Sequence, residues 1–124
     1  VNPTPRARAQ LFAGEIAPAV LGGAGHGVDG LMVVNDAFVP PVAAALRLLG
    51  RTPGVDVDIA GYDAFWSEVS DRVFESAPPV ASVDKGNAAA GEALVRLLMR
   101  RLRGELPEGP QLELVPPRVR LESD

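Results

Sequence analysis

Several residue types and patterns that would define a function are scarce or missing in this chain. Its 124 residues include no cysteine, which excludes disulfides and thiolate metal sites. The formal net charge of −4 argues against a chain that tracks DNA phosphates by itself. No apolar run approaches the roughly 20 residues that a membrane span requires, and the proline-rich start does not resemble a signal peptide. What is left is a globular composition, with 47% hydrophobic and 23% charged residues.

Residues for catalysis or metal binding are equally sparse. The one histidine, His26, lies in a glycine loop without a second histidine, and we interpret it as a solvent-exposed loop residue. Residues 22–25 lack the Gly-Lys-Ser/Thr ending of a phosphate-binding loop, and no serine lies in a nucleophile elbow. We therefore predict no catalytic residue, no metal site and no cofactor.

The order of hydrophobic patterns predicts an α/β domain with a parallel sheet. A helix over 6–21, which Pro18 should kink or end early, precedes a strand over 31–34 whose continuous apolar run predicts burial on both faces. A helix then stops at Gly50, and alternating valine and aspartate predict a second strand over 56–60. Because a β-α-β crossover joins parallel strands, these two strands should lie side by side in one direction.

The second half of the chain is predicted to hold a short helix, a long helix and closing strands. A short helix within 64–74 precedes a strand or extended segment over 80–83. The helix over 87–103 has the most regular pattern. Its apolar stripe consists of Gly91, Leu94, Val95, Leu98 and Leu102. Strands over 112–115 and 119–121 are separated by two prolines.

Polar residues follow the two predicted parallel strands, where ligands bind in open α/β sheets. Asn35 and Asp36 follow the first strand and Asp63 follows the second, so an amide and a carboxylate should share one rim. Such groups suit the hydroxyls of a polyol. We interpret Asp36 as a helix cap rather than a ligand contact, whereas capping and ligand binding both stay open for Asn35 and Asp63.

Three aromatic residues close to this rim, Tyr62, Phe65 and Trp66, could stack on the apolar face of a sugar ring. Burial in the core is the more frequent role of such side chains, and it stays open here. With Asn35 and Asp63, these three complete the set of candidate ligand-binding residues.

Four motifs in order resemble the lactose-repressor (LacI/GalR) family of transcription regulators. Residues 29–36 match its "hydrophobic run-Asn-Asp" strand, and 57–63 match its "hydrophobic run-Gly-Phe/Tyr-Asp" strand. Residues 78–84 are similar to its proline-led crossing segment, and 114–123 to its closing strands. The family usually shows Thr-Thr where this chain has Ala-Ser at 81–82, and Gln at position 84, which bears on ligand identity more than on the fold.

The resemblance implies a type I periplasmic-binding-protein-like fold, in which two Rossmann-like lobes close on a ligand. Residues 1–124 would form a single C-terminal ligand-binding lobe, and we expect a longer protein that supplies most of the N-terminal lobe. Asn35 and Asp63 match family positions that hydrogen-bond sugar hydroxyls. The implied function is a cytoplasmic sugar sensor, not an enzyme, whose operator binding lies in an upstream helix-turn-helix domain absent from this chain.

In the family, the helix matching 87–103 packs on the N-terminal lobe. Its apolar stripe should therefore lack cover here, and we hypothesise that the chain self-associates, with exchange of this helix between chains as one route. Two other functions stay open. One is a solute-binding protein of a sugar transport system, and the other is a small flavodoxin-like enzyme, which would need a nucleophile or cofactor loop.

Overall fold

A four-stranded sheet organises the fold, and its strands lie in the order in which they occur in the chain. The computed structural model describes residues 2–22 and 27–121, so His26 lies outside the described residues. The strands are β1 (Gly30–Met32), β2 (Asp58–Tyr62), β3 (Ala81–Asp84) and β4 (Arg118–Leu121). β1, β2 and β3 are parallel and β4 is antiparallel to β3, which confirms the predicted parallel pairing of the first two strands.

In the described residues three α-helices accompany the sheet: α1 (Pro5–Leu21), α2 (Val39–Leu48) and α3 (Asn87–Leu102). α1 begins where the Thr4 hydroxyl accepts a hydrogen bond from the Ala7 N–H at 3.2 Å. It continues past Pro18 to Leu21, so the prediction of an early end is wrong. Buried Val20, with Phe12 and Ile16, packs this helix on the core, and that packing outweighs the local cost of the proline.

The core lies between α1, α2 and one face of the sheet. Its buried members are Val20, Val33, Val39, Val42, Ala43, Leu46, Val57 and Ile59. Pro40 and Pro41 occupy the first turn of α2, where a missing N–H costs nothing. Gly50, with a φ of 71°, follows the end of the helix and allows the left-handed turn there.

β1 is buried on one face only, which corrects the prediction of burial on both. Val33 is buried beneath the helices, but Met32 is 66% exposed and Val34 is 73% exposed. β1 is also the edge of the sheet. An apolar run is compatible with two covered faces, but no helix in the described part of the chain covers the second one.

The second half of the chain is less regular than predicted. Instead of one helix within 64–74, two short 3-10 helices form, Trp66–Glu68 and Ser70–Val73. Residues 112–115 form no strand, which corrects that prediction, whereas the last predicted strand is present as β4. Of the helices that the structure describes, none has both the length and the apolar character needed to cross a membrane.

Candidate functional site

The carboxyl ends of β1, β2 and β3 meet at one edge of the sheet, as in other parallel sheets. Met32 lies opposite Ala60 and the Val33 N–H donates to the Ala60 carbonyl at 2.9 Å, so Asn35 and Asp63 each follow the carboxyl end of one of two neighbouring strands. The Asp63 N–H donates to the Val83 carbonyl at 2.8 Å, which places Asp63 beside the end of β3. We call this edge the rim, and it brings the predicted amide and carboxylate to adjacent strand ends.

Asn35 caps the first turn after β1. Its Oδ1 accepts a hydrogen bond from the Ala37 N–H at 3.0 Å, at the start of the 3-10 helix Asp36–Phe38. Of the two roles left open for Asn35, capping is the one seen. The cap uses only the oxygen, and within residues 2–22 and 27–121 no hydrogen bond engages the amide nitrogen, which keeps two donors for another group.

Asp36 does not cap the helix that follows it, so that interpretation is wrong. Its side chain is completely buried. Oδ2 accepts hydrogen bonds from the backbone N–H groups of Phe65 at 2.8 Å and Trp66 at 3.0 Å, about thirty residues along the chain. A buried carboxylate requires such donors, since an unpaired charge is costly away from water. Asp36 therefore ties the end of β1 to the loop after β2.

Ser82 and Gly61 complete the surroundings of this carboxylate. The Ser82 hydroxyl donates to Asp36 Oδ1 at 2.7 Å and accepts from the Ala64 N–H at 3.1 Å. A Cβ on Gly61 would lie 2.0 Å from the same Oδ1, so a side chain at this position would displace the carboxylate. We call Asp36, Gly61 and Ser82 the Asp36 cluster. It joins three neighbouring segments below the rim.

The turn that presents Asp63 has an unusual backbone. Asp63 has a φ of 80° and Ala64 has a φ of 51°, in the left-handed region that non-glycine residues rarely occupy. Such residues cost on the order of 1–3 kcal/mol each and persist only where the surroundings hold them. The Asp36 cluster supplies that restraint, because it accepts three consecutive N–H groups at 64–66.

Asp63 is paired with a lysine that the sequence interpretation missed. Lys85 Nζ lies 2.6 Å from Asp63 Oδ1, and the side chains are 41% and 25% exposed. We describe the contact as an ion pair rather than a hydrogen bond. Among the described residues, no donor reaches this oxygen with regular hydrogen-bond geometry. This close interaction with the Asp63 carboxylate stabilises the protonated ammonium and so raises the pKa of Lys85 above its ordinary value. Lys85 Nζ also lies 5.6 Å from the centroid of the Tyr62 ring.

Lys85 could have been found with the rule that identified Asn35 and Asp63. It follows β3, just as those residues follow β1 and β2. The sequence did not decide whether residues 80–83 form a strand or another extended segment, so the rule for strand ends was not applied there. The rim therefore carries an amide, a carboxylate and an ammonium group.

The aromatic candidates are divided between two places. Tyr62 belongs to the rim through Lys85, and Phe65 is half-buried in the loop after it. Trp66 packs against the core and lines a cavity of about 430 Å³ that also touches Asp36 and Ser82. This cavity is not lined by Asn35 or Asp63. The structure therefore brings Asn35, Tyr62 and Asp63 to the rim and places Trp66 beneath it.

Within the part of the chain that the structure describes, acidic residues and histidine form no group of three or more that could hold a metal ion. The rim is instead a set of hydrogen-bonding groups on a rigid support. Carboxylate oxygens accept hydrogen bonds, while the ammonium of Lys85 and the amide nitrogen of Asn35 donate them. Such a set can hold a neutral polar ligand with several hydroxyls.

Two solved structures share this fold. A regulatory protein of the LacI family from Chloroflexus aggregans has a TM-score of 0.61 at 23% identity, over 87% of this chain and 35% of that chain. An ABC sugar transporter subunit from Rhodobacter sphaeroides 2.4.1 has a TM-score of 0.61 at 18% identity, over 100% of this chain and 41% of that chain. These likenesses confirm the predicted class, an α/β fold of the type I periplasmic-binding-protein-like kind.

The sequence itself points to one family within this class. The HTH-type transcriptional regulator CelR of Thermobifida fusca is 32% identical over 87 residues, which make up 70% of this chain and 24% of the regulator. No family model matches the chain. The predicted resemblance to the lactose-repressor family is confirmed: the chain has the sequence and fold of part of a LacI-type sensor domain. It spans about a quarter of the length of the relative it matches.

Proposed function

We propose that this chain is the effector-binding part of a bacterial transcription regulator that senses a sugar-like small molecule. The similarity to a protein named as a transcriptional regulator supports the regulatory role. The observation that supports the ligand-binding role is that Asn35 and Asp63 follow the carboxyl ends of adjacent parallel strands. The longer protein would hold an upstream helix-turn-helix domain that binds operator DNA, and it would act in the cytoplasm.

The rim groups divide the recognition of a polyol among them. The Asp63 carboxylate accepts hydrogen bonds from ligand hydroxyls, and Lys85 and the Asn35 amide nitrogen donate to others. Tyr62 and Phe65 supply apolar contact with the ring, and Trp66 supports them from the core. Every role in this set is binding, and none requires a nucleophile or a cofactor, so we propose a sensor rather than an enzyme.

The Asp36 cluster is the support that makes this recognition selective. Since Asp36 and Ser82 are buried and hold consecutive N–H groups, the loop that carries Asp63 is fixed before a ligand arrives. Pre-organisation of this kind lowers the ordering cost of binding. We infer that a second lobe, supplied by the longer protein, covers the ligand and couples its presence to operator affinity.

Removal of the Asp63 carboxylate tests this proposal in the intact gene product. Asp63→Ala should weaken effector binding by about 2–4 kcal/mol, because ligand hydroxyls and Lys85 lose their acceptor. Isothermal titration with a panel of monosaccharides and disaccharides measures the effect. Asp58→Ala, an exposed acid at the opposite end of β2, is the matched control. Unchanged affinity in Asp63→Ala would remove this residue from the site, and the isolated chain should bind weakly or not at all.

A solute-binding protein of a sugar transport system is the second candidate. The transporter subunit matches the whole chain with the same TM-score as the regulator, so the fold supports both. Operator DNA separates them: effector-dependent binding of the intact gene product in a gel-shift assay requires a regulator. Sugar binding with no affinity for DNA from its own promoter region would favour the transport role.

A further inference from the structure

Lys85 covers one of the two carboxylate oxygens of Asp63. Asp63 Oδ1 is buried and lies 2.6 Å from Lys85 Nζ, whereas the lysine side chain is 41% exposed. A molecule that approaches the rim from solvent therefore meets the ammonium before it meets this oxygen. Oδ2 has no hydrogen bond within residues 2–22 and 27–121, so it is the oxygen of Asp63 that stays open to a ligand.

Hydrogen-bond donors outnumber acceptors along the rim. The amide nitrogen of Asn35 has two N–H groups and the ammonium of Lys85 has three, one of which Asp63 can occupy. The acceptor that remains on the charged pair is Asp63 Oδ2. An excess of donors is matched best by a ligand group that only accepts, and a carboxylate is such a group. It also forms a stronger hydrogen bond with an ammonium than a neutral hydroxyl does.

Positive charge is in excess at the carboxyl end of β3, next to the rim. Three cations, Lys85, Arg118 and Arg120, lie there with two acids, Asp63 and Asp84. Arg120 hydrogen-bonds Asp84 at 2.7 Å, and Arg118 lies opposite Asp84 in the register of β3 and β4. The whole chain has a formal net charge of −4, so this excess is a local feature. Such a field favours an anionic ligand over a neutral one.

We propose that the rim binds a sugar acid, with its carboxylate at Lys85 and its hydroxyls at Asn35 and Asp63. This inference rests on the proposed function and adds the chemical class of the effector. A neutral polyol can also occupy the rim, but it brings no anion to the ammonium. A polyhydroxy carboxylate supplies both kinds of group that the rim recognises.

The order of the strands fits a ligand with one charged end. Because β1, β2 and β3 are neighbours in this order, the amide, the carboxylate and the ammonium follow one another along the rim. Adjacent strands lie about 4.8 Å apart, so the backbones that carry Asn35 and Lys85 are on the order of 10 Å apart. A hexuronate has its carboxylate at one end of the ring and hydroxyls at the other, which matches this sequence of groups.

Lys85 also makes room for a second acid beside Asp63. Two carboxylates repel each other unless a cation lies between them, and the ammonium that contacts Asp63 has further N–H groups for a ligand. The interaction with Asp63 raises the pKa of Lys85, so the side chain stays charged at neutral pH. A neutral hexose, with CH₂OH in place of the carboxylate, gains no ion pair there. The charge of Lys85 is therefore expected to determine the specificity of the rim.

Isothermal titration of the intact gene product tests this specificity with matched pairs of sugars. The probes are D-glucuronate, D-galacturonate and D-mannuronate, each beside the neutral hexose of the same configuration. The acid that fits the site should bind at least about tenfold more tightly than its neutral counterpart, because a hydrogen bond to a charged group is the stronger one. High salt should reduce this advantage.

Lys85→Met separates the charge from the rest of the site, since methionine keeps an unbranched side chain without an ammonium. It should weaken binding of the acid about 30-fold and binding of the neutral hexose less than about threefold. Arg72→Met removes the same charge at an exposed position outside the rim and should leave both affinities unchanged. Circular dichroism checks that each variant is folded.

The outcomes distinguish this inference from the function on which it rests. Neutral sugars that bind more tightly than their acids, or an equal loss for both in Lys85→Met, would overturn the sugar acid and leave a sensor of neutral sugars. If neither the acids nor the saccharides of the Asp63→Ala experiment bind to the wild type, the proposed function and this inference are both wrong.

Discussion

Residues 5–82 and residues 83–121 are held in place by different forces. In the first region α1 and α2 pack on β1 and β2, and large apolar side chains such as Leu46 and Ile59 are fully buried. In the second region Ala93 is the one buried residue of those described. The difference indicates that the stability of the chain comes mainly from the first region, while the second leaves much of its apolar surface exposed.

The second region is held mainly by charged and polar contacts. Arg120 hydrogen-bonds Asp84 at 2.7 Å, Arg96 pairs with Glu113, and Arg101 donates to the Pro107 carbonyl at 2.7 Å. A hydrogen bond from the Gly86 N–H, together with Arg120, lowers the pKa of Asp84. Exposed pairs of this kind contribute little to stability, because water and salt screen them. The comparison between the two regions can therefore be tested by single substitutions.

The largest effect should come from the buried acid of the first region. Asp36→Ala leaves the Ser82 hydroxyl and the N–H groups of Phe65 and Trp66 without their acceptor, which should lower the free energy of unfolding by about 3–5 kcal/mol. Urea unfolding followed by circular dichroism measures this. Asp58→Ala, an exposed acid, should change it by less than about 0.5 kcal/mol. A loss below about 1 kcal/mol in Asp36→Ala would contradict the role of the cluster.

Leucine-to-alanine substitutions, one in each region, should give the next largest difference in the free energy of unfolding. Leu46→Ala removes a fully buried side chain and should lower the free energy of unfolding by about 2–5 kcal/mol. Leu114→Ala, at a position that is 81% exposed, should stay within about 0.5 kcal/mol of the wild type. Both are measured by urea unfolding at one protein concentration. Equal losses would mean that the second region packs more tightly than its exposure indicates.

A smaller, pH-dependent effect should come from Glu75, which ties residues 75–77 to α2. Its carboxylate accepts from Arg47 Nε at 2.6 Å and from the Ala77 N–H at 3.0 Å. Partial burial raises the pKa of Glu75, but hydrogen bonds from Arg47 and Ala77 outweigh burial and leave the pKa below its ordinary value of 4.5. The folded state therefore favours the ionised form. Its contribution is complete well above pH 4.5 and is lost as the pH falls through the lower, folded pKa.

Glu75→Gln should accordingly destabilise the chain by about 1 kcal/mol at pH 7. The difference from the wild type should shrink as the pH falls below the ordinary glutamate value. Urea unfolding at a series of pH values checks this, with Glu108→Gln, an exposed acid of the second region, as control. A difference that grows toward acid pH would mean that the ionised form is not the one favoured by folding.

Local patterns were sufficient to predict most elements and their order. The helix over 87–103 and the strand near 56–60 were found from periodicity, and the crossover rule correctly paired the first two strands in parallel. The rule for ligand sites in open sheets then brought Asn35 and Asp63 to one rim. The predictions fail at Asp36, Lys85 and residues 112–115, and also at Pro18, at the second face of β1 and within residues 64–74. Most of these failures depend on contacts between segments that are distant in the chain.

Asp36 illustrates why the rest could not be read from sequence. An aspartate before a helix normally caps it. Nothing local indicates that the carboxylate oxygens of Asp36 instead accept hydrogen bonds from residues 65, 66 and 82. Gly61 was compatible with a sharp turn or with the close approach of another group, and only the fold shows that the Asp36 carboxylate occupies the space of its Cβ. Contacts between distant segments depend on how strands align side by side, and no short pattern encodes that alignment.

Periodicity in the chain was enough to establish an α/β fold, two parallel strands and a polar rim, because hydrogen bonding and side-chain alternation along one element are local properties. Only the assembled fold decided which apolar faces are covered. α2 and α3 both have an apolar side, yet that of α2 is buried against the sheet and that of α3 is exposed. Burial depends on what lies across from a face, and no described segment of the chain lies across from the apolar face of α3.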